Sequence, residues 1–477
     1  MTQSNPGVPN ALGARPRLFV DLHEVDAREG VTRVFHQAVR HGAHPVLRQE
    51  APWERHSGMT ASVVYDDEAG IFKAWYLAGN YAPGVGHVQC LATSADGITW
   101  ERPRIGLHAA RGAGGDAGGD AGDTNIVIPA THHNGQAHWE SMLKDALDAD
   151  PTRRYKALSW SSDDWDGPGS GIYAAWSPDG LRWSHTAEPV FRHHPRPGTP
   201  DLGPVGDAQS LMIDAPRRRY VAFLRGRGPR LRSVSEDFRT WTAPAPFLWP
   251  LHEEEALYNN TGFPYGEQYL GFLTHFDKRP RRQTQTLHLL SSRDGDAWSR
   301  PPAPPLIPLS DVGEWDRFQI LLTGAPPVVR GDRLLIYYRG TARRHNKVPR
   351  EFDPAIAADQ DPGEMAIGLA TLRRDGFASV NASYDGGTLT TVPYVLAGDA
   401  LTLNVKADYG RVRVELLDAA GDPLPGFEAA ACRAVTEDSV DAPVRWAGDP
   451  SLRALGGRPV RLRFRLANAR LYAYRCR

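Results

Sequence analysis

Carboxylic acid side chains recur at corresponding places along the chain. One stands at or shortly before the start of each of five apolar strand patterns, and these acids are Glu54, Glu140, Asp207, Glu255 and Asp316. Two facing carboxyl groups can cleave an acetal, because a protonated one donates to the leaving oxygen while an ionised one attacks the anomeric carbon or activates water. The acids therefore indicate acid–base chemistry at a glycosidic bond, provided that the fold brings them together.

We assign the leading roles to three of these acids. Asp207 is predicted to be the base or nucleophile and Glu255 the general acid, while Asp316 would raise the pKa of the acid by like-charge proximity. Each has a structural alternative. Asp207 could cap a turn, Glu255 could belong to a solvated run with Glu253 and Glu254, and Asp316 could pair with Arg317.

Other polar and aromatic side chains are expected to surround the acids and bind the substrate. Glu54 and Glu140 are also alternative candidates for the catalytic pair. Arg225 and Arg227 lie in a segment that Gly and Pro residues interrupt. That segment is either a solvated loop or a clamp for a carboxylate or phosphate. The predicted substrate-binding set is Glu54, His138, Glu140, Gln209, Arg225, Arg227, Tyr258, Asn259, Trp315 and Gln319.

A short repeat indicates which elements position these residues. The pattern S-x-D-(G/F)-x-x-W occurs four times, with 57 to 83 residues between successive tryptophans, which is typical of one propeller blade. Ser and Asp bond to nearby backbone amides in a tight turn, and the Trp can pack between neighbouring sheets. The copies are Ser94–Trp100, Ser177–Trp183, Ser235–Trp241 and Ser292–Trp298.

Five hairpin patterns accompany the repeat, and the fifth ends in Arg374–Phe377 in place of the Trp turn. Beyond residue 380 the strands alternate apolar and polar residues, as in a two-layer sheet domain. The sequence therefore predicts an all-β fold, a five-bladed β-propeller followed by a C-terminal β-sandwich. The expected divisions are a tail over residues 1–17, a catalytic propeller over 18–380 and a sandwich over 381–477.

Composition narrows the possible partners. Among 477 residues, 55 Lys and Arg face 56 Asp and Glu, so no net positive charge favours nucleic acid, and no apolar run is long enough to span a membrane. Neither a cofactor nor a metal is predicted, because dinucleotide and phosphate-loop motifs are missing and adjacent histidines do not share one face of a strand. No feature indicates an oligomeric state.

The cysteines and the N-terminus predict a cytoplasmic protein. Three widely spaced cysteines do not suggest a disulfide framework, and residues 1–17 lack the apolar core of a signal peptide. A secreted protein whose signal peptide has been removed would share these features.

The chain resembles bacterial proteins described as similar to the N-terminal domain of family 32 glycosyl hydrolases. It is also similar in architecture to the five-bladed glycosidases of families 32 and 43. The resemblance covers nearly the whole chain and implies a carbohydrate substrate. It is carried by Leu18–Asp21, Thr32–Gln37, His44–Leu47, Pro52–Glu54, Lys73–Tyr76, Arg154–Lys156, Gly313–Asp316, Gly368–Phe377, Gly387–Thr391 and Pro425–Phe427.

The sequence departs from the fructan hydrolases at their functional motifs. The W-N/D-D-P-N-G, R-D-P and E-C motifs are missing, and Asp21-Leu22 stands where related chains often have two aspartates. Fructoside specificity and a retaining mechanism therefore do not follow from the resemblance. The leading hypothesis is a glycoside hydrolase, and the alternatives are a carbohydrate-binding propeller without activity, a polysaccharide lyase and a phosphorylase.

Overall fold

The computed structural model describes residues 10–54, 61–80, 86–111, 117–119, 123–129, 138–161, 169–193, 207–346 and 365–477. Within these ranges the secondary structure is β apart from short 3-10 turns, which are Pro52–Glu54, Pro151–Arg153, Ala215–Arg217 and Leu452–Leu455. The strands form a β-propeller and a β-sandwich, so the predicted fold class is confirmed. In the described ranges, no helix has the length and apolar character needed to cross a membrane.

The chain divides into two compact units. The sandwich unit comprises Met1–Gln37, Val329–Leu334 and Leu372–Arg477, and the propeller unit comprises Ala38–Val328 and Leu335–Thr371. The divisions expected at residues 18 and 380 differ from these bounds. The reason is strand pairing, because the strands between residues 25 and 35 bond to sandwich strands that follow residue 377.

In the described ranges, the propeller strands form antiparallel groups that follow one another along the chain, and we number these groups blades 1 to 5. Blades 4 and 5 belong to one sheet, because Gln285 and Gln319 pair in parallel. Blade 1 contains Ala61–Asp66, Ile71–Asn80, Gly86–Ser94 and Ile126–Ile128; blade 2 contains His138–Lys144, Tyr155–Ser161, Gly171–Ser177, Ser184–His185 and Phe191–Arg192. Blade 3 contains Ser210–Asp214, Arg219–Arg225, Arg230–Ser235 and Ala245–Leu248; blade 4 contains Glu255–Asn260, Phe263–Tyr265, Gln268–Asp277 and Thr284–Ser292. Blade 5 contains Gln319–Leu322, Val328–Arg330, Arg333–Thr341, Ala366–Arg373 and the strand Val39–Arg40, which precedes blade 1 in the sequence.

The S-x-D repeat forms the turn that its residue types predict. In the first copy the amide of Gly97 donates to Ser94 Oγ at 2.8 Å, and the amides of Ile98 and Thr99 donate to Asp96 Oδ1, also at 2.8 Å. The aspartates of the other copies accept the equivalent pair of amides. Gly97 has a φ of +78°, which a residue without Cβ adopts at low cost.

Aromatic contacts join each of these turns to the preceding blade. Because the Trp of blade 1 packs on Tyr337 of blade 5, these contacts also close the ring. The ring-centroid distances are 6.5 Å for Trp183 and Trp75, 5.3 Å for Trp241 and Phe191, 5.8 Å for Trp298 and Phe223, and 6.0 Å for Trp100 and Tyr337.

A second set of repeated contacts joins blades 1 to 4. An aspartate at or just beyond the end of a first strand binds a cation on the second strand of its own blade and a tyrosine hydroxyl of the next blade. Tyr269 Oη, for example, donates to Asp214 Oδ1 at 2.8 Å, and Arg219 Nε lies 2.7 Å from Asp214 Oδ2. The other tyrosine–aspartate pairs are Tyr155–Asp66 at 2.7 Å and Tyr220–Asp145 at 2.6 Å.

The sandwich unit packs two sheets around its own core. The larger sheet contains Arg17–Leu18, Val31–Phe35, Ala378–Ala382, Leu401–Lys406, Asp438–Pro443 and Ala469–Cys476; the smaller contains Val25–Glu29, Gly387–Thr391, Arg411–Leu417 and Arg461–Ala467. Asn10–Leu12 and Tyr394–Leu396 form a separate parallel pair. Leu403, Val414 and Phe464 are fully buried between the layers. Cys432 and Cys476 are also buried in this core and carry free thiols.

Candidate active site

A cavity of about 280 Å³ in the propeller unit receives residues from every blade. Blade 1 supplies Leu77 and His87, blade 2 supplies Glu140, and the residues that lead into blade 3 supply Asp207 and Ala208. The wall also includes Tyr258 and Gln285 of blade 4 and Gln319, Leu321 and Arg339 of blade 5. Such convergence is expected at the axis of a propeller, where the first strands of the blades meet.

Glu140 has the properties of a general acid. The side chain is buried, and burial raises its pKa to about 7, an effect that Arg339 opposes and the charge of Asp207 reinforces. Asn259 Nδ2 donates to Glu140 Oε2 at 2.6 Å and fixes the orientation of the carboxyl group. A carboxyl group that keeps its proton near neutral pH can donate it to a leaving oxygen.

Irregular pairing orients both members of this hydrogen bond. The ladder of blade 2 shifts register between Glu140 and Leu143, and Ser141 between them has a φ of +59°. A similar shift in blade 4 lies between Leu257 and Asn259. Bulges of this kind redirect side chains beside active sites.

Asp207 is the second carboxylate at the cavity. Its side chain is about one-third exposed, and Arg225 Nη1 lies 3.3 Å from Asp207 Oδ1. The same guanidinium stands 4.7 Å from the ring centroid of Tyr258. Burial raises the pKa of Tyr258, and the nearby charge of Asp207 raises it further. Arg225 therefore orients a carboxylate and an aromatic ring that both line the cavity.

Arg230 fixes the backbone on both sides of the cavity. It is fully buried and donates to the carbonyl oxygens of Ala208 at 2.8 Å and Tyr258 at 3.0 Å. A third donor, Nε, reaches Asn260 Oδ1 at 2.8 Å. Burial lowers the pKa of Arg230 to about 9, with a further contribution from Arg225. Arg230 is a positioning residue, because all these bonds hold protein atoms.

Five residues of the predicted set come together around this cavity. Glu140, Asp207, Tyr258 and Gln319 line it, and Asn259 binds Glu140. Arg225, a sixth member, pairs with Asp207. Gln319 Nε2 donates to the carbonyl oxygen of Arg343 at 2.6 Å, which anchors the segment after the strand Arg333–Thr341.

Glu255, the predicted general acid, lies in a different environment. Arg300 Nη1 is 2.6 Å from Glu255 Oε1, and the amide of Leu251 donates to Oε2 at 2.6 Å. Although burial acts in the opposite direction, the hydrogen bond from Arg300 lowers the pKa of Glu255. Glu255 is therefore ionised at neutral pH and is held as half of an ion pair. Glu253 and Glu254 are exposed, as the solvated alternative predicts.

Asp316 is also occupied by structural contacts. It is fully buried, Arg40 Nε lies 2.8 Å from Oδ2, and the hydroxyl of Tyr338 donates to the same oxygen at 2.9 Å. Trp315 stacks on Tyr338 with ring centroids 5.9 Å apart. The structure thus places Asp316 and Trp315 in the packing of blade 5 and not in the described wall of the cavity.

Three other predicted site residues lie apart from the cavity wall, and the side chain of a fourth is not described. Glu54 is fully buried, accepts the amides of Glu50 and Ala51 and pairs with Arg102 at 2.8 Å. Gln209 is buried and donates to the carbonyl of Leu158 at 3.4 Å, and Arg227 is exposed. The side chain of His138 lies outside the described residues.

Sequence reasoning missed a cationic part of the wall. Arg339, Arg343, Arg344 and His345 line the cavity where the strand Arg333–Thr341 ends and just beyond. Burial lowers the pKa of His345 to about 4, so its ring is neutral at pH 7. The signal was present, because the fifth hairpin pattern contains the apolar run Leu334–Tyr338, and extending this run leads directly to these residues.

No protein-family model and no curated protein sequence matches the chain. Among solved structures, a complex of BT0996 and RGII is similar at 11% identity, with a TM-score of 0.50 and coverage of 71% of this protein and 92% of that one. A glycoside hydrolase gives 11% identity, the same two coverages and a TM-score of 0.49. A β-1,2-mannobiose phosphorylase from Listeria innocua, in complex with β-1,2-mannobiose, gives 11% identity, coverage of 71% and 97%, and a TM-score of 0.43.

At these identities the similarity concerns the fold alone. The β-propeller fold that the sequence predicts is confirmed.

Proposed function

We propose that the protein is a glycoside hydrolase in which Glu140 is the general acid and Asp207 the base or nucleophile. One observation carries this proposal: a buried carboxyl group whose pKa is raised to about 7 shares a cavity with a second, partly exposed carboxylate. Two carboxyl groups in different protonation states are what glycosidic cleavage needs. The resemblance to five-bladed glycosidases supports a carbohydrate substrate.

The surrounding residues support the two roles. Asn259 holds the Glu140 carboxyl group while its proton passes to the leaving oxygen. Arg339 favours the charged form of Glu140 and so stabilises the carboxylate that remains. Arg225 orients Asp207 towards the anomeric carbon or towards a water molecule. Glu140 takes over the role that sequence reasoning gave to Glu255, because Arg300 keeps Glu255 ionised.

The first test combines a substrate screen with isosteric variants. Wild-type protein is incubated with aryl glycosides and oligosaccharides, and products are followed by thin-layer chromatography. On any substrate that is cleaved, Glu140→Gln and Asp207→Asn should each lower kcat/KM by about 10²- to 10⁴-fold, the usual contribution of a proton-transferring group. Wild-type activity in either variant would contradict the assignment, and glycan binding without turnover would favour the non-catalytic alternative.

Glu255→Gln distinguishes the two candidate acids. Removing one member of the buried pair with Arg300 should lower the melting temperature, because Arg300 loses its carboxylate partner. The kcat of this variant should stay within about threefold of wild type, since the change leaves proton transfer intact. A loss of kcat equal to that of Glu140→Gln would restore Glu255 as the acid. The anomeric form of the first product, read by NMR, reports whether the reaction retains or inverts configuration.

A further inference from the structure

In the described ranges, arginine side chains outnumber carboxyl groups on the wall of the cavity. Arg339, Arg343 and Arg344 line it together with Glu140 and Asp207. Glu140 is half protonated near pH 7, and Asp207 is paired with Arg225. Within the described ranges, the side chains of Arg339 and Arg343 make no ion pair or hydrogen bond, and Arg339 Nε is buried without a partner.

Gln285 adds an independent observation on the same wall. Its side chain lies on the strand Thr284–Ser292 of blade 4 and is fully buried. Neither its amide nitrogen nor its amide oxygen has a hydrogen-bond partner in the described part of the chain. Buried amides in native proteins are almost always hydrogen-bonded, so an unpaired one that lines a cavity indicates a ligand.

The chemistry of these groups selects the ligand. A guanidinium group offers paired N–H donors that match the two oxygens of a carboxylate or phosphate, and it remains charged at any physiological pH. The amide of Gln285 supplies a further donor without adding charge. Leu77, Leu321 and Met365 also line the cavity, and their apolar side chains can contact only apolar parts of a ligand.

We propose that Arg339 and Arg343, assisted by Gln285, bind an oxyanion: the carboxylate of a uronic acid in the glycan, or inorganic phosphate. The proposal names the chemical class of a substrate or co-substrate. Its account of the reaction rests on the proposed glycosidase function. If the oxyanion is phosphate, its oxygen bonds to the anomeric carbon as the glycosidic C–O bond breaks. The leaving oxygen takes the proton of Glu140, solvent replaces that proton, and the products are a glycosyl phosphate and a free alcohol.

Binding is tested separately from turnover. Isothermal titration of the full chain with inorganic phosphate and with D-glucuronate, at constant ionic strength, is compared with sodium chloride and D-glucose. We expect at least one of the two oxyanions to bind, and we expect about tenfold or greater weakening in Arg339→Gln and in Arg343→Gln. Arg343 is exposed, so its variant should fold even if the Arg339 variant does not. Arg333→Gln, an exposed arginine at the start of the same strand, is the matched control and should bind as wild type does.

Two further outcomes identify the source of the oxyanion and separate this inference from the proposed function. Turnover that requires phosphate and releases a glycosyl phosphate assigns the site to phosphate, whereas hydrolysis of a glucuronide in phosphate-free buffer assigns it to a uronate. Failure of both anions to bind more strongly than chloride, or wild-type affinity in folded Arg343→Gln, overturns the inference even if neutral glycosides are hydrolysed. Anion binding that depends on these arginines, with no turnover of any glycoside, would instead refute only the proposed function.

Discussion

The protonation of Glu140 is decided by a competition between burial and neighbouring charge. Burial acts against the carboxylate and is the largest effect, and Asp207 acts in the same direction. Arg339 and Arg230 act in the opposite direction, but neither makes a hydrogen bond with Glu140. Glu255 shows the other result: burial is again the largest single effect, but the hydrogen bonds from Arg300 and the Leu251 amide, together with the charges of Arg300 and His275, lower its pKa. The contrast shows that contact with a guanidinium, more than burial, distinguishes the two acids.

The pH dependence of activity follows from the raised pKa of Glu140. A general acid must be protonated, so kcat/KM should fall as the pH rises through about 7, by about tenfold per pH unit at the alkaline end. Stopped assays between pH 5 and 9 measure this limb. The residual activity of Glu140→Gln should show no such fall at alkaline pH, since the amide does not titrate. An unchanged alkaline fall in that variant would assign the titration to another group.

Stability should depend on the same proton. The folded-state pKa of about 7 lies above the ordinary value of 4.5, so the folded state binds the proton more tightly than the unfolded state. The contribution of this proton to the free energy of unfolding is present in full below pH 4.5 and is lost as the pH rises through about 7. Its upper limit is about 3 kcal/mol. Thermal unfolding of wild type and Glu140→Gln at pH 5 and pH 8 should show the variant gaining relative stability at the higher pH.

At the scale of single elements, the S-x-D turns combine local and inter-blade constraints. Gly180 has a φ of +78°, and a Cβ at this position would lie 2.6 Å from Trp75 Cζ2 of the preceding blade. Trp75 Nε1 also donates to the carbonyl oxygen of Gly180 at 2.8 Å. The turn is therefore the surface on which the neighbouring aromatic ring rests, as well as the end of a hairpin.

A pair of glycine substitutions separates these constraints. Gly70 has a φ of +68° in the first hairpin of blade 1, with open space where a Cβ would stand. Gly70→Ala should cost about 1 kcal/mol from backbone strain alone. Gly180→Ala should cost roughly 2–4 kcal/mol, because displacement of Trp75 adds to that strain. Urea unfolding of the two variants measures the difference, and equal losses would show that Trp75 moves aside freely.

The sequence best predicts the structural features that depend on residues close to one another in the chain. The turn at Ser94–Trp100 and the hairpins are local, so residue types alone indicated them. The propeller expected over residues 18–380 includes Val31–Phe35, whose partner in the sandwich, Ala378–Ala382, is far away in the sequence. Glu255 has the residue type and position of a catalytic acid, and only the fold shows its contact with Arg300. The register shift beside Glu140 and the arginines beyond Tyr338 likewise depend on pairing that a one-dimensional pattern does not contain.

At the scale of the whole molecule, the ring depends on the contact between blades 1 and 5. Tyr337 Oη donates to the carbonyl oxygen of Gly97 at 2.8 Å, and the rings of Tyr337 and Trp100 are in edge-to-face contact. Tyr337→Phe keeps the ring contact and leaves the buried carbonyl without this donor, which should cost about 1–3 kcal/mol. Tyr384→Phe, at a side chain that is 79% exposed, is the control and should have almost no effect. A loss in the control as large as that of Tyr337→Phe would contradict this account of ring closure.

The pairing of Val39–Arg40 with Ala370 and Thr371 has a consequence for protein synthesis. Val39–Arg40 emerges from the ribosome before blades 1 to 4, but its partner in blade 5 is made only after those blades are complete. The same is true of the sandwich, where Val31–Phe35 is synthesised long before its partner strand Ala378–Ala382. Neither unit can therefore reach its final pairing until most of the chain has been translated, and two exposed strand edges must stay free of other chains during that time.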